Sequence, residues 1–302
     1  INDLSDGETL EIMYRIDGSA VDGEFELDHL QGYKNSTPIR IGSTNHGQLQ
    51  LDIFGEAMDS VYLYDKYGSP ISEQLWRSLK KLVQYVSDHW QDADAGIWEV
   101  RGGNREFLFS RVMCWVALDR AIRLCRKRGL PGAHGAWKET RDAIYESIFS
   151  DFWDADREVF VQFKRTQALD ASALIMPLVR FISPTDPKWL STMRAIEEDL
   201  VQDSLVYRYK VGEAFDDELA GAEGTFSICS FWYIECIARS GDLQKARLLF
   251  EKMLSYSNDL GLFSEQVGTT GEFLGNIPQA FTHLAMISTA FHLDRQMEGA
   301  SS

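Results

Sequence analysis

The sequence predicts an all-α protein built from stacked pairs of helices, on three observations. Apolar residues recur at helical spacing through most of the chain after about residue 48. Strand patterns are confined to short stretches, such as 159–161 and 205–207, which suit ribbons in loops better than a sheet. One kind of connection, which runs from Asp or Asn into an apolar or aromatic residue, recurs after successive helices. Its copies end at Glu99, Phe160, Arg208 and Glu265.

Start and stop signals bound the helical patterns. Ser72 and Asp242 each precede an apolar stripe and are typical N-cap residues. Gly68 and Gly241 stand where the preceding helices should end, because glycine adopts the left-handed backbone of a helix stop. We therefore predict helices at 48–67, 72–91, 107–128, 135–151, 169–182, 187–201, 224–240, 242–257 and 277–294.

Repeated helical hairpins can stack as an open solenoid or as a closed ring. The inner helices of a ring are covered on both sides and should be apolar nearly all round, whereas outer helices should be amphipathic. Residues 226–238 and 281–290 fit the inner type, while 187–201 and 242–257 fit the outer type. This alternation favours the ring.

Composition limits the classes of function. The 302 residues carry a formal net charge of −16, which opposes binding to nucleic acid and to anionic membranes. No apolar run approaches the length of a membrane span. Because no signal peptide is visible at Ile1, and because buried free thiols are favoured over metal ligands, we expect a cytoplasmic protein without metal or cofactor. The thiols are Cys114, Cys125, Cys229 and Cys236.

Two loops carry the candidate chemistry. Trp98 and Glu99 lie in a glycine-bounded loop, where the aromatic ring offers a sugar an apolar face and favours a neutral carboxyl group. By itself this pair is also compatible with a surface glutamate that follows a core tryptophan. A second loop far downstream places Glu265 after Phe263. Two loop carboxylates beside aromatic neighbours are what glycoside hydrolysis requires.

With these loops in the hairpin array, the chain resembles the glucoamylase-like glycoside hydrolases of family 15, and most closely their bacterial-type branch. The resemblance runs over essentially the whole chain and implies an (α/α)6 toroid whose active site lies among the loops at one end. The matching motifs are at residues 10–14, 17–18, 28–30, 32–33, 38–42, 48–56, 96–103 and 275–283.

The resemblance also implies roles for individual residues. Glu99 takes the place of the general acid and Glu265 that of the general base, with the two carboxyl groups roughly 6.5–9.5 Å apart as an inverting enzyme requires. Trp98 matches the aromatic wall of the glucose subsite, and Arg208 matches an arginine that binds the terminal sugar. Arg101, two residues after Glu99, is a further substrate-binding candidate.

Gln50 and Asp52 lie at the start of a predicted inner helix. There they can contact substrate, or they can cap the helix.

The chain departs from the family pattern at its beginning. Family members carry an upstream Arg-Asp pair that grips the sugar, together with about three more helices, and this chain starts downstream of both. We therefore expect residues 1–302 to form a single catalytic domain without its N-terminal part, with about nine of twelve helices. Such an open ring should expose Leu51, Phe54, Ile287 and Phe291 along a seam and favour self-association.

The function that follows is an inverting, exo-acting α-glucoside hydrolase. It would release glucose from the non-reducing ends of α-glucans or oligosaccharides. Two alternatives remain open: a trehalase of the same family, or a truncated toroid that acts as a non-catalytic scaffold. The expected partner is a small carbohydrate.

Overall fold

The computed structural model describes residues 10–21, 23–43, 47–100, 102–210 and 223–301. In those ranges it has nine α-helices and nine strands of two or three residues, which confirms the predicted all-α class. The helices are α1 Asp52–Tyr67, α2 Glu73–His89, α3 Leu108–Arg128, α4 His134–Asp151, α5 Ile175–Leu178, α6 Pro187–Leu200, α7 Ser227–Ser240, α8 Leu243–Leu254 and α9 Ala280–Ser301. The strands are β1 Glu24–Glu26, β2 Arg40–Gly42, β3 Trp153–Asp154, β4 Val159–Phe160, β5 Val201–Gln202, β6 Leu205–Val206, β7 Thr225–Phe226, β8 Gln266–Val267 and β9 Phe273–Leu274.

The predicted helix signals are confirmed where they depend on local chemistry. Ser72 Oγ accepts a hydrogen bond from the Leu75 amide at 3.1 Å, and Asp242 Oδ1 accepts one from the Lys245 amide at 3.0 Å. Gly241 ends α7 with a left-handed φ of 109°. The side chains of Ser72 and Asp242 thus each satisfy an amide that the first turn of a helix cannot pair internally.

Three predicted helices begin too early, because tertiary pairing uses the residues before them. α1 starts at 52 rather than 48, since the Leu49 carbonyl accepts from the Ala95 amide at 2.9 Å. α7 starts at 227 rather than 224, because Thr225–Phe226 pairs with Gln266–Val267. α9 starts at 280 rather than 277.

The predicted helix at 169–182 is wrong. Its place is taken by a 3-10 turn at Ala171–Leu174 and by the single turn of α5. The Asp170 side chain accepts from the Ser172 amide, and the Ala171 amide donates to the Arg208 carbonyl at 2.8 Å. Pro177 has no amide hydrogen to extend the helix. Side-chain and tertiary hydrogen bonds therefore replace the helical ladder.

Packing divides the chain into two compact units, residues 1–106 with 113–144 and residues 107–112 with 145–302. In the first unit, Phe54 of α1 stacks on Tyr85 of α2 with ring centroids 4.8 Å apart. Gly55 lies against α3, where an added Cβ would stand 2.3 Å from the Met113 carbonyl oxygen. Glycine is therefore required for this close approach of two helices. The expected single domain over 1–302 stays a prediction.

In the second unit, α7 is the central helix and packs against α8 and α9. It is buried on nearly all sides, as predicted for an inner helix, and α6 and α8 are amphipathic as predicted. The same prediction for 281–290 is wrong. Thr282, Ala285 and Thr289 of α9 are buried, but the opposite face is exposed. That face carries Phe281, Leu284, Ile287 and Phe291.

The predicted exposure of four apolar side chains is confirmed for two of them and wrong for the other two. Ile287 and Phe291 are exposed, at 58% and 51%, as expected. Leu51 and Phe54, however, are each only 1% exposed, so their predicted exposure is wrong. Phe54 is covered by Tyr85, and the Leu51 amide binds the Asp94 carboxylate. Within the described ranges, no helix combines the length and apolarity needed to cross a membrane. The expected cytoplasmic location stays a prediction.

Candidate active site

Residues 90–107 connect α2 to α3 and carry Glu99, the predicted acid, so we call this segment the acid loop. Backbone hydrogen bonds hold it on two sides. Asp94 and Arg105 exchange amide and carbonyl bonds of 3.0 and 2.9 Å, while the Ala95 amide binds the Leu49 carbonyl. Within the loop, the Glu99 amide donates to the Gly96 carbonyl at 3.1 Å. Glu99 has a φ of 53°, a left-handed conformation that is unfavourable for a residue with a side chain. Such conformations concentrate at functional sites, where the surrounding structure maintains them.

Gln50 contacts the Glu99 carboxyl group, and Trp98 directly precedes Glu99 in the chain. Gln50 is buried, and its Nε2 donates to Glu99 Oε1 at 3.5 Å, the outer limit of a hydrogen bond. Trp98 and Glu99 are both half-buried, so both retain accessible surface. The structure therefore brings Gln50 to the predicted acid, a contact that sequence reasoning missed.

Asp52 is a buried neighbour of the Glu99 carboxyl group. It is the first residue of α1 and is 4% exposed. Burial, together with the nearby carboxylates of Asp94, Glu56 and Glu99, raises the pKa of Asp52 well above its ordinary range. A neutral carboxyl group is therefore favoured at this position. The predicted contact between Asp52 and substrate stays a prediction.

Residues 255–279 connect α8 to α9 and carry Glu265, the predicted base, so we call this segment the base loop. It is built on a three-stranded ribbon, in which β8 pairs with β7 on one side and with β9 on the other. Glu265 directly precedes β8. Its carbonyl accepts from the Ser227 amide at 3.0 Å, and its amide donates to the Asn276 carbonyl at 2.9 Å. The Asn276 amide and side-chain Nδ2 both donate to Glu265 Oε2, at 3.0 and 3.2 Å. One carboxylate oxygen is thus fixed by two donors from a single residue.

His283 supports the same loop from α9. The Phe263 amide donates to its Nε2 at 3.2 Å, and its Nδ1 lies 2.6 Å from the Gln279 carbonyl oxygen. These contacts assign a neutral ring with its proton on Nδ1, since Nε2 must accept. Asn276 and His283 both lie in a motif, 275–283, that the sequence analysis noted without giving either residue a role.

Arg208 is held in a fixed orientation. Its Nε and Nη2 pair with both carboxylate oxygens of Glu223, at 2.9 and 2.6 Å. Its guanidinium also lies over the rings of Tyr209 and Phe226, with centroid distances of 4.6 and 5.1 Å. Two parallel hydrogen bonds from a planar guanidinium fix its direction as well as its position. Sequence reasoning missed Glu223, which lies 15 residues downstream with no local pattern to mark it.

The predicted site residues are divided between the two units. Gln50, Asp52, Trp98 and Glu99 belong to the first unit, and Arg208 and Glu265 belong to the second. Arg101 lies outside the described residues. Within the described ranges, no group of three or more His, Cys, Asp or Glu side chains is arranged to hold a metal ion.

Known proteins show similarity over nearly the whole chain. The sequence model of the family described as glycosyl hydrolases family 15 matches residues 2–291. A protein named trehalase from Mycobacterium tuberculosis is 43% identical over 294 residues, which are 97% of this chain and 43% of that relative. A trehalase from Thermoplasma acidophilum is 35% identical over 96% of this chain and 50% of its own length. The chain thus spans about half the length of the curated relatives it matches.

Solved structures show the fold. A wild-type glycosidase superposes with a TM-score of 0.70 at 18% identity, and covers 86% of this chain and 72% of its own. A bacterial glucoamylase complexed with acarbose gives 0.68 at 15% identity, over 82% of this chain and 41% of its own. These similarities confirm the predicted fold class, the α/α toroid of the glucoamylases. The family match and the two trehalases together show that this chain belongs to glycosyl hydrolases family 15.

Proposed function

We propose that the protein is an inverting α-glucoside hydrolase that cleaves trehalose. The observation that carries the chemistry is the hydrogen bonding of Glu265. Asn276 fixes Oε2 with two donors. Among the described residues, the hydrogen bonds to this carboxylate involve Oε2 alone, which leaves Oε1 to accept a proton from water. A carboxylate held in one orientation with one oxygen available suits a general base.

Glu99 is the proposed acid. Gln50 donates to its Oε1, and the acidic proton passes from Glu99 to the glycosidic oxygen. As the bond between the anomeric carbon and that oxygen breaks, positive charge develops on the sugar. Trp98 offers the sugar an apolar face, and Arg208, oriented by Glu223, offers hydrogen bonds to a hydroxyl group.

Water completes the reaction from the opposite face. Glu265 removes one proton from the water as its oxygen bonds to the anomeric carbon, and Glu99 has already given one proton to the leaving glucose. The two carboxyl groups therefore end with exchanged protonation states, which proton exchange with solvent restores. The configuration at the attacked carbon is inverted.

The choice of substrate rests on the relatives. From the sequence, α-glucans are the first candidate and trehalose is an alternative, because residues beyond the first sugar subsite decide between them. The relatives at 43% and 35% identity are named trehalase, which favours trehalose. The scaffold alternative is less favoured, because both predicted catalytic carboxylates are present and each is held by specific hydrogen bonds.

Proton NMR of trehalose hydrolysis tests this proposal. Inversion at one of the two α-linked carbons gives one α-glucose and one β-glucose in the first turnovers, whereas retention gives only α-glucose. We expect Glu99→Gln and Glu265→Gln to lose at least about 10²-fold in kcat. Glu158→Gln is a matched control, because Glu158 is an exposed loop glutamate that also has a left-handed φ, of 56°. Initial release of α-glucose alone, or full activity in Glu99→Gln, would refute the mechanism.

A further inference from the structure

Asp94 is a fully buried carboxylate beside the acid loop. It lies five residues before Glu99, is 0% exposed, and is not among the residues that sequence analysis singled out. Burial of a charged carboxylate costs several kcal/mol unless hydrogen bonds or charges compensate it. A buried aspartate at this position therefore requires an explanation, which its contacts provide.

The carboxylate of Asp94 binds the start of α1. Its Oδ2 accepts from the Leu51 amide at 2.8 Å. Leu51 is the N-cap residue of α1, and its own side chain makes no cap hydrogen bond. The amides at the start of a helix need acceptors from outside it, and a negative charge near them is favoured by the helix dipole. Asp94 therefore caps α1 from another part of the chain.

The bond from Asp94 to Leu51 is one of those that join the start of α1 to the acid loop. The backbone of Asp94 pairs with Arg105, and its neighbour Ala95 pairs with Leu49. Residues 49–51 are consequently fixed against residues 94–95, and Gln50 is the residue between the two points of attachment. Its side chain meets Glu99 Oε1.

We propose that Asp94 is a positioning residue for the general acid, which acts by holding residues 49–51 against the acid loop so that Gln50 meets Glu99. The role of Glu99 in this statement rests on the proposed function. Loss of the Asp94 carboxylate would leave the buried Leu51 amide without its acceptor and would release both Gln50 and the loop that carries Trp98 and Glu99.

The charge of Asp94 and its acceptor oxygen have separable effects. Burial and the nearby Asp94 carboxylate both raise the pKa of Asp52, so the charge at position 94 affects Asp52 as well as the Leu51 amide. Asp94→Asn removes the charge but keeps an oxygen that can accept from the Leu51 amide. Asp94→Ala removes both. If positioning is the role, the asparagine variant should resemble the wild type and the alanine variant should not.

Fluorine NMR tests the positioning without any need for turnover. The eight tryptophans are replaced by 5-fluorotryptophan, and the Trp98 resonance is assigned by its loss in Trp98→Phe. We expect Asp94→Ala to shift or broaden that resonance and Asp94→Asn to leave it close to its wild-type position. Amide exchange at Leu51 should be at least tenfold faster in Asp94→Ala, because its hydrogen bond is lost. The control is Asp65→Ala, which removes another buried aspartate of the same unit, one that pairs with Lys127 and Arg128 at the far end of α1.

The outcomes separate this inference from the proposed function. An unmoved Trp98 resonance in Asp94→Ala, or an equal shift in Asp65→Ala, would overturn the positioning role even if trehalose is hydrolysed. Absence of hydrolysis in the wild type would refute the function and leave the resonance test intact. Where turnover is measured, we expect Asp94→Ala to lower kcat by about 10–100-fold, as for a displacement near 1 Å, with a much smaller change in KM. If Asp94→Ala does not fold, Asp94→Glu is the second variant. Its longer side chain cannot keep the 2.8 Å bond without displacing the loop, so an unmoved Trp98 resonance there would also overturn the role.

Discussion

Gly275 packs directly against Glu265, the proposed base. Its replacement by alanine should disable the site, because the added Cβ would displace the Glu265 carboxylate. An added Cβ would stand 2.7 Å from Glu265 Oε2 and 3.0 Å from Glu265 Cβ. Ordinary contacts of a Cβ begin at 3.4 Å, so the carboxylate must move by about 0.7 Å to accommodate alanine. That movement would break the two hydrogen bonds from Asn276 or displace the loop that contains it.

Two costs of Gly275→Ala can be estimated separately. The backbone has a φ of 69°, and alanine in a left-handed conformation costs roughly 1–2 kcal/mol in stability. Displacement of a catalytic group by about 1 Å costs on the order of 10²-fold in rate, equivalent to about 2.7 kcal/mol. Gly271→Ala separates these costs, because Gly271 has a φ of 84° in the same region but no atom within 4 Å of an added Cβ.

The assay compares the two variants for trehalose hydrolysis and for urea-induced unfolding. We expect both to lose similar stability, and only Gly275→Ala to lose about 10²-fold in kcat. Equal kcat in the two variants would show that Glu265 need not occupy its present position, and it would refute the assignment of Asn276 as the group that orients the base.

Three further outcomes follow from other parts of the fold. Burial lowers the pKa of His292, so its neutral form stabilises the fold fully above about pH 6.5, and this stability is lost as the pH falls toward the folded-state pKa. His292→Gln should flatten the pH dependence of the urea midpoint below about pH 6.5; an unchanged slope would contradict this. The exposed face of α9 should cause self-association, so Phe281→Lys with Ile287→Lys should lower the sedimentation-derived mass, whereas Leu248→Lys, on an exposed site of α8, should not. Arg208→Lys should raise KM roughly tenfold or more, because lysine cannot form the two parallel bonds to a carboxylate; an unchanged KM would remove Arg208 from the sugar site.

The parts of the fold that could be predicted from sequence depend on local chemistry. The caps at Ser72 and Asp242 are confirmed because an N-cap bonds to an amide three residues away. The helix at 169–182 failed because Asp170 and the Arg208 carbonyl bind its first amides, and neither contact can be inferred from periodicity.

The exposed face of α9 shows the limit of an apolar pattern. Residues 281–290 are as apolar as an inner helix, yet Phe281 and Ile287 are exposed. Periodicity reports which side chains gain from burial, but it does not report whether another element packs against them. The same reasoning explains the error at Leu51 and Phe54, which are covered by α2 and by the acid loop.

In the candidate site too, some residues could be proposed from sequence and others could not. Glu99 and Glu265 could be proposed because each lies one or two residues after an aromatic residue in a glycine-containing loop, and because the resemblance to family 15 implies an acid and a base at these positions. The groups that hold them could not, because Gln50 lies 49 residues from Glu99 and Asn276 contacts Glu265 across the β8–β9 ribbon. These pairings exist only after the loops have folded, and no spacing rule links them.

The different surroundings of the two carboxyl groups support their proposed roles by an argument that does not depend on any motif. Glu265 receives two N–H donors from Asn276, which pair with a carboxylate acting as acceptor and suit a base. Glu99 accepts a long hydrogen bond from the side-chain amide of Gln50, and it is one of the carboxyl groups that raise the pKa of the buried Asp52. Adjacent carboxyl groups cannot all carry charge at low cost, and in this group burial and the neighbouring carboxylates favour a proton on Asp52. Reversal of the proposed roles would make Glu265 the proton donor although two N–H groups already donate to its Oε2, and this arrangement opposes that role.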